Sequence, residues 1–444
     1  MSREGSKQTA FGVRTVFALT LILLFSAAML APRNAYTIPA FARKYQTSCQ
    51  TCHVVAPALT PFGEAFRQNG YRFPGGNDAA MTKITPVSIG AEGYKKLWPR
   101  AVWPGEIPGM PPVAILLTSS IDYDHATKTT TFGGMGGETE ILAAGTLDEH
   151  FSFWGSVVFS RDETGAIATG MERVNLLVRP LDSPALQFKV GSFEPGIMLS
   201  SSHRSILDQE LLALTEPVDP NPWAAEGYQQ GFEAYGMLNH RILYNGGVVE
   251  GSGSIGDNSK DVYGRVAYKL GGLPFDGVPS GGASAEMPAN PKPWSEKSLA
   301  LSAFAYKGKS ILTRDPAALP TDLDVRDPFQ LVGGDLSAIY LDLMARAGYT
   351  ERKDDRFSFT DPAITDVKVK NQFGELSWAA FPWLVPAGRW ESIKVVHDKT
   401  EQASITVNGL IRANVKSFLA ATWVKEPGGK FTNQGGAAGV LIGF

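Results

Sequence analysis

The chain has 444 residues, a formal net charge of −3 and a mean hydropathy of −0.08. The lack of surplus basic charge argues against binding to nucleic acid, and the mean hydropathy excludes a protein built from many transmembrane helices. Glycine is frequent, with 47 residues, but it lacks the three-residue period of collagen. The chain contains only two cysteines, which excludes a disulfide-rich scaffold.

The first predicted element is an export signal. Arg3, Lys7 and Arg14 form a basic region, and residues 15–30 are an uncharged, mostly apolar run. This run is short for a membrane-spanning helix of about 20 residues, and small residues near its end suit cleavage. We therefore predict a signal peptide over residues 1–35, with an uncleaved N-terminal anchor as the alternative.

The next motif is C-x-x-C-H, formed by Cys49, Cys52 and His53. This is the attachment sequence of c-type haem, in which two thiols bind the vinyl groups and the histidine binds the iron. A redox cysteine pair, a structural disulfide and half of a zinc site are the alternatives. The next histidine is the distant His125, and a βαβ context is missing. We predict one covalent haem c held by Cys49 and Cys52, with His53 as the proximal iron ligand.

The flanks of this motif predict a small α-helical module. Thr60 and Pro61 suit the start of a helix, and Asn69 with Gly70 suits its end. Phe62 and Phe66 share one face of that helix and could cover a porphyrin. The predicted haem module, residues 36–84, is near the size below which a chain seldom folds alone. We therefore expect the module to need its haem and packing against another part of the protein in order to fold.

Other contacts of the haem are open. Arg43, Lys44 and Arg67 are candidates for the propionates, although basic residues are more often solvated. For the distal iron ligand we name Met110, which lies in the sequence Pro-Gly-Met-Pro-Pro, or His203, if its loop folds inward. The alternative for Met110 is an apolar residue at the start of a strand, and the alternative for His203 is an ordinary surface histidine. Met81, His125 and His150 are further candidates, and a five-coordinate iron is another alternative.

From residue 85 to the end, alternating segments of about ten residues are separated by Gly, Pro, Asn and Asp, which predicts strands. Together with Val87–Tyr94, and with the run 336–350 split in two, they give about sixteen strands. The predicted segments are Val113–Tyr123, Glu138–Leu147, His150–Ser160, Glu172–Arg179, Leu186–Phe193, Gly231–Leu238, Arg241–Glu250, Asp261–Leu270, Ser298–Tyr306, Leu336–Thr350, Phe373–Ala380, Ser392–Val396, Ala403–Ile411, Val415–Val424 and Gly436–Phe444.

The last segment favours a membrane barrel over a soluble β-rich protein. It ends on the aromatic Phe444, and Ile442 and Val440 fall on the lipid-facing phase opposite Leu441 and Gly443. A soluble edge strand would usually carry a charge or a proline. We predict an all-β fold, a transmembrane antiparallel β-barrel of about 16 strands over residues 85–444, with the haem module as a plug. Tryptophans near strand ends suit aromatic girdles: Trp98, Trp103, Trp154, Trp378, Trp383, Trp390 and Trp423.

Long connections are predicted on one side of this barrel, the extracellular side. They are Pro195–Tyr228, Gly271–Lys297 and Lys307–Gln330. The first of them contains the apolar stretch Ser202–Leu214, which predicts a short helix and a loop that folds into the lumen.

The motifs Phe41–Tyr45, Cys49–His53, Phe62–Arg67 and Asn69–Tyr71, followed by the predicted barrel, resemble the fused monohaem cytochrome–porins of bacterial outer membranes. That family includes outer-membrane iron oxidases. The resemblance covers the haem module in detail and the remainder only as architecture. It implies a haem-bearing plug in the barrel mouth or lumen, electron passage across the outer membrane, and Fe(II) as one candidate donor.

The predicted function is therefore outer-membrane electron transfer between an extracellular donor or acceptor, such as Fe(II), and a periplasmic c-type cytochrome. The barrel is expected to lie in outer-membrane lipid. Whether the protein has Fe(II):cytochrome c oxidoreductase activity stays open. A passive porin with a structural or sensory haem module and a soluble periplasmic electron carrier are the alternatives. The apolar band of a barrel is about 25 Å tall. One haem can therefore carry electrons across the membrane only if redox partners approach from both sides.

Overall fold

The computed structural model describes residues 40–76, 78–85, 87–88, 90, 92–101, 106–107, 109, 111–161, 166–217, 221, 223–251, 260–279, 291–312, 325–355 and 367–444. The predicted signal peptide over residues 1–35, Trp103 and the candidate ligand Met110 lie outside these ranges. In the ranges that are described, no helix is long and apolar enough to cross a membrane.

Within the described residues, sixteen strands form a closed antiparallel barrel in which each strand pairs with its neighbours in the chain. The predicted barrel of about sixteen strands is therefore confirmed. The strands are β1 Val113–Asp124, β2 Thr130–Thr146, β3 Phe151–Arg161, β4 Ile167–Val178, β5 Gln187–Phe193, β6 Gln229–Leu238, β7 Ile242–Val249, β8 Asp261–Gly271, β9 Glu296–Leu312, β10 Val325–Leu341, β11 Leu343–Asp354, β12 Val367–Trp378, β13 Leu384–Val395, β14 Asp398–Arg412, β15 Val415–Lys425 and β16 Thr432–Gly443.

The barrel is closed by its last strand. In the seam between β16 and β1, Gly443 lies opposite Leu116. Phe444 extends the seam, because its amide donates to the carbonyl of Ile115 (2.9 Å) and the amide of Ile115 donates back (2.7 Å). The terminal aromatic residue thus completes the last strand pair.

The predicted strand Val87–Tyr94 is wrong. Val87–Ser88 pairs with Glu106–Ile107 in a separate two-stranded ribbon, and residues Glu92–Leu97 form a short helix. The sequence here alternates only weakly, and Gly90 and Gly93 interrupt it. The first barrel strand is β1, which begins at Val113.

The strands alternate between a polar interior and an apolar exterior, as β8 illustrates. Asp261, Tyr263 and Arg265 are buried and face inward, whereas Val262 and Val266 are 46% and 58% exposed on the outside. A soluble barrel would show the reverse pattern, because its apolar side chains would fill the interior. This pattern is the one found in transmembrane barrels.

The two ends of the barrel differ. Connections that follow an even-numbered strand are mostly tight turns, such as 147–150, 239–241 and 413–414, and the chain also ends there. We call this end the turn end and the opposite end the loop end. The connection 272–295 follows β8 and so lies at the turn end. The prediction that Gly271–Lys297 shares a side with the other two long connections is therefore wrong.

Residues 40–76 and 78–83, here called the inner segment, precede the barrel and consist of short elements. The helices are α1 Ala40–Tyr45, α2 Pro61–Gln68 and α3 Asp78–Met81, and 3-10 turns occur at Cys49–Thr51 and Pro74–Gly76. A small ribbon pairs His53–Val55 with Ala58–Leu59. The expected α-helical module is thus represented by a few short helices joined by turns.

The inner segment is bound to the inside of the barrel at the turn end. Arg72 donates to the hydroxyl of Ser152 (3.2 Å), and that hydroxyl donates to the carbonyl of Gly70 (2.7 Å). The side chain of Gln187 donates to the carbonyl of Gln68 (2.9 Å). Ser152 and Gln187 are fully buried near the starts of β3 and β5, which places the C-terminal end of α2 against the inner wall.

The connection between β5 and β6, described over residues 194–217, 221 and 223–228 and here called the inner loop, also folds into the barrel. Ile206 and Leu207 are buried in one apolar cluster with Val54 and Val55 of the inner segment. Trp223 donates its indole N–H to Tyr306 of β9 (3.1 Å). The prediction of a lumenal loop is confirmed, although its helices are short, Ser202–Arg204 and Leu212–Thr215.

Candidate functional site

A cavity of about 480 Å³ lies between the inner segment, the inner loop and the barrel wall. This volume falls within the range of about 300–1,000 Å³ that is usual for ligand sites. Cys49, Cys52 and His53 line one part of the cavity, and Glu194 and His203 of the inner loop line another. The fold therefore brings the C-x-x-C-H motif and one of the two candidate distal ligands to the same cavity.

The turn that carries the two cysteines is fixed by its own hydrogen bonds. Ser48 caps it by accepting from the amide of Gln50 (3.2 Å), and the amide of Cys52 donates to the carbonyl of Cys49 (3.1 Å). Both cysteines are free thiols on this single turn, and both line the cavity. This is the arrangement that two thioether bonds to one porphyrin require.

The ring of His53 has a defined orientation. Its Nδ1 donates to the carbonyl oxygen of Pro57 (3.2 Å), which leaves the lone pair on Nε2. A hydrogen bond from the second ring nitrogen is the usual way in which proteins orient a metal-binding histidine. Burial lowers the pKa of His53, which favours the neutral, ligating form of the ring. These residues fit a c-type haem.

The cysteine environment argues against a redox pair. Burial raises the pKa of the Cys49 thiol, and burial together with the neighbouring Cys49 raises the pKa of Cys52 to about 12. Redox-active C-x-x-C motifs show the opposite behaviour, because their reactivity depends on a lowered pKa.

Aromatic side chains form the apolar part of the site. Phe62 and Phe66 of α2 lie in one buried cluster with Tyr45 and Phe73, and the Phe66 ring meets Tyr45 edge-on at 5.7 Å. Helix α2 starts as predicted, since the Thr60 side chain accepts from the amide of Gly63 (3.1 Å). A flat apolar ligand could be enclosed by this cluster.

Trp154 was predicted to lie in a girdle at the membrane surface, and this is wrong. Its ring faces the cavity and stacks on Tyr71 of the inner segment at 4.9 Å. The signal was present in the sequence, because Trp154 shares its strand phase with the small polar residues Ser152 and Ser156. In a barrel with a polar lumen, that phase faces inward.

The basic residues proposed for the propionates have protein partners. Lys44 binds Asp78 (2.7 Å), and Arg67 binds Glu64 (2.9 Å). Arg43 donates to the carbonyl of Val113 (2.5 Å). Of these three basic residues, Arg67 lines the cavity.

His203 lies at the cavity, but both of its ring nitrogens have partners. Nδ1 lies 3.1 Å from Glu194, and Nε2 is hydrogen-bonded to the hydroxyl of Tyr228 (2.8 Å). Its ring also stacks on that of Tyr228, with centroids 5.2 Å apart. The distal ligand therefore stays a prediction. Sequence reasoning missed Glu194, Glu226 and Tyr228, because only the folding of the inner loop brings them to His203.

Comparison with known proteins identifies the fold alone. No protein-family model and no curated protein matches the chain. Among solved structures, it is similar to the loop L8 deletion mutant of OmpT, an outer-membrane protein of Vibrio cholerae, with a TM-score of 0.51 and 10% identity over 75% of this chain and 98% of that one. It is also similar to Salmonella typhi OmpF in complex with daunomycin, with a TM-score of 0.51 and 12% identity over 75% of this chain and 97% of that one. At these identities, the likeness shows a porin-like barrel.

Proposed function

We propose that the chain is an electron-transfer protein of the bacterial outer membrane, in which Cys49 and Cys52 bind one haem c and His53 is its proximal iron ligand. A haem bound there supplies a carrier for single electrons. The observation that carries the proposal is the position of the C-x-x-C-H turn. It lines a cavity inside a closed barrel, with the His53 ring held by the Pro57 carbonyl.

The exterior of the barrel supports the proposed membrane location. Apolar side chains alternate along the outer face, and exposed aromatic side chains gather near the turn end, as in the interfacial girdles of membrane barrels. These aromatic residues are Tyr268, Tyr340, Trp378, Phe381 and Trp383. Lipid of the outer membrane is thus the proposed surrounding of the strands.

The two ends of the barrel suggest where partners approach. Outer-membrane barrels usually have short turns on the periplasmic side and longer loops outside. The inner segment is bound at the turn end, through Arg72 and Gln187 for example. We propose that a periplasmic c-type cytochrome docks at the turn end, and that an extracellular redox partner such as Fe(II) enters from the loop end. With Fe(II) as donor, the activity would be that of an Fe(II):cytochrome c oxidoreductase.

The residues of the chain itself would hold and enclose the bound group. The aromatic cluster of Phe62, Phe66 and Phe73 excludes water from one side of the cavity, and Pro57 fixes the ring of His53. The inner segment and the inner loop both pack inside the lumen, which narrows the path for free diffusion.

A passive porin with a structural or sensory haem module is the second candidate. Its support is the likeness of the fold to OmpT and OmpF. Single-channel conductance in a planar bilayer separates the two candidates, because an open porin gives large currents and a filled barrel gives small ones. Large wild-type currents would favour the porin.

The central test compares three variants of the full chain in outer-membrane fractions. C49A/C52A should lose covalent haem staining but keep the heat-modifiable mobility of a folded barrel. H53A should retain the thioether-bound group but change its absorption spectrum. H397A, at an exposed histidine of the β13–β14 turn, serves as the control and should match the wild type. A wild-type protein that does not stain for haem, or that fractionates with soluble periplasmic proteins, would contradict the proposal.

A further inference from the structure

Three side chains of the inner loop converge at the edge of the cavity. Glu194 follows β5, His203 lies in a 3-10 turn, and Glu226 lies just before β6. One ligand atom from each of these residues lies within 4.8 Å of the other two. Nδ1 of His203 is 3.1 Å from one oxygen of Glu194 and 4.0 Å from one oxygen of Glu226.

Tyr228 determines which nitrogen of His203 faces the two carboxylates. The Tyr228 hydroxyl lies 2.8 Å from Nε2 of His203 and 3.3 Å from a carboxylate oxygen of Glu172, and it is hydrogen-bonded to both. Nε2 is thus occupied by Tyr228, and Nδ1 points at the carboxyl groups of Glu194 and Glu226. Nδ1 is therefore the ring nitrogen at which a proton or a metal ion would be shared with these carboxylates. A hydrogen bond from the second ring nitrogen is typical of metal-binding histidines.

Glu226 provides an independent observation. Its side chain is only 5% exposed, and one oxygen accepts from the amide of Ser202. The other oxygen is buried and has no hydrogen-bond partner among the described residues. A buried carboxylate oxygen without a partner is unusual and costly, because it has lost its water. The oxygen nearer to His203 is the one that accepts from Ser202, and a metal ion bound there would compensate the buried charge of the whole carboxylate.

We propose that Glu194, His203 and Glu226 form a binding site for a divalent first-row transition-metal ion. One imidazole nitrogen and two carboxylates suit ions such as Mn(II), Fe(II), Co(II) and Zn(II), whereas Ca(II) and Mg(II) prefer oxygen ligands alone. Two carboxylates supply negative charge for a divalent ion, one of them, Glu194, being shared with Arg204 (3.5 Å). Glu194 and His203 line the cavity, so an ion in the lumen can reach them.

This site differs from the C-x-x-C-H motif and does not need a haem. Neighbouring side chains hold the proposed metal ligands in position. Arg204 lies 3.5 Å from Glu194 and holds that carboxylate in place, while Tyr228 orients His203. In the proposed function, the site would hold a metal-ion donor at the wall of the haem cavity. Only this role of holding a donor rests on the proposed function.

The test is titration of the purified full-length protein in detergent with Mn(II), followed by electron paramagnetic resonance. The wild type should bind one Mn(II) saturably, and pulsed measurements should show coupling to one imidazole ¹⁴N nucleus. E226Q and H203Q should weaken binding at least tenfold. H240Q is the matched control, because His240 contacts a single carboxylate, that of Asp276 (2.5 Å), and should bind as the wild type does.

Several outcomes would overturn the site. They are wild-type protein without saturable Mn(II) binding, bound Mn(II) without nitrogen coupling, full displacement by equimolar Mg(II), and unchanged binding by E226Q and H203Q. The wild-type measurements decide the matter even if a variant fails to fold. Repeating the titration on C49A/C52A separates the two proposals, since loss of the covalent haem should leave Mn(II) binding intact.

Discussion

The α-carbon of Gly63 lies so close to Cys52 that a β-carbon at residue 63 would overlap the carbonyl oxygen of Cys52. Helix α2, which carries Phe62 and Phe66, can therefore approach the cysteine turn only because residue 63 is glycine. This contact joins the two parts of the candidate haem site, the turn that carries the thiols and the helix that carries the aromatic rings.

The first prediction is that G63A reduces covalent haem loading several-fold. The added methyl group displaces either α2 or Cys52, at a cost of about 1–3 kcal/mol, which is typical of overpacking. The measurement is haem absorbance per mole of protein in the membrane fraction. G93A is the matched control, because no atom lies within 4 Å of the new β-carbon in the helix Glu92–Leu97. Equal loading of G63A and G93A would show that the close approach has no role in haem attachment.

The second prediction concerns Asp78, whose carboxylate joins three parts of the inner segment. It accepts from Lys44 (2.7 Å), from the hydroxyl of Tyr45 (2.5 Å) and from the amide of Phe73 (2.8 Å). D78N should lower the stability of the inner segment by about 1–3 kcal/mol. In limited proteolysis at neutral pH, D78N should be cleaved faster than the wild type at sites N-terminal to residue 84. D182N, at an exposed turn residue, should behave like the wild type.

The third prediction is the pH dependence of the same contact. Burial opposes ionisation of Asp78, but the charge of Lys44 and the three hydrogen bonds outweigh it and lower the pKa of Asp78 below its ordinary 3.8. A lowered pKa stabilises the folded state above the unfolded value, and this stabilisation is lost as the pH falls through the folded value. Protease resistance of the wild-type segment should therefore be constant between pH 7 and about pH 4 and fall below that range.

Thermolysin near neutral pH and pepsin throughout the acidic range cover these conditions. D78N lacks the titrating carboxylate, so the contribution of residue 78 to its resistance should not change with pH. A wild-type segment that becomes sensitive between pH 6 and 5 would identify another group as the cause.

The fourth prediction is that R72A loosens the inner segment from the barrel. Arg72 is buried and donates to Ser152 (3.2 Å) and to the carbonyl of Asp148 (3.3 Å) at the turn end. Its loss leaves the hydroxyl and the carbonyl with fewer partners, at a cost of about 1–3 kcal/mol. We expect a higher and noisier single-channel conductance. R241A removes an arginine that binds the carbonyl of Gly271 at the same end but not the inner segment, and its conductance should match the wild type.

The fifth prediction tests the membrane-facing surface. Val266 lies outside on β8, and V266R should destabilise the barrel by about 2–4 kcal/mol in a bilayer. Folding into lipid vesicles, followed by heat-modifiable mobility and urea titration, measures this cost. Val87 is 50% exposed, against 58% for Val266, but lies outside the barrel strands, so V87R should have no effect on barrel stability. Equal tolerance of both arginines would mean that β8 does not face lipid.

Features with a local signal could be predicted from the sequence. The alternation of strands such as β8 and the capping of α2 by Thr60 depend on neighbouring residues, and the structure reproduces both. The phase of β16 was also correct, since Leu441 and Gly443 line the interior while Ile442 is exposed. The C-x-x-C-H motif is equally local, but the haem itself stays a proposal.

Features that depend on distant parts of the chain could not be predicted. Glu194, His203 and Glu226 meet only because a connection of more than thirty residues turns back into the barrel. The inward phase of Trp154 could have been deduced from Ser152. The end of the barrel at which the connection 272–295 lies could have been deduced from the strand count. The first deduction is local, whereas the second requires that the number and order of the strands are known first.

The seam between β1 and β16 has a consequence for the order of assembly. The inner segment is synthesised before β1, whereas β16 is the last strand of the chain. Residues 40–83 are therefore already tethered to one edge of the open sheet when the other edge arrives. Enclosure of this segment and closure of the sheet are coupled events, so a group that binds at residues 49–53 has its freest access before the seam closes. Closing the seam between β1 and β16 therefore also encloses the inner segment.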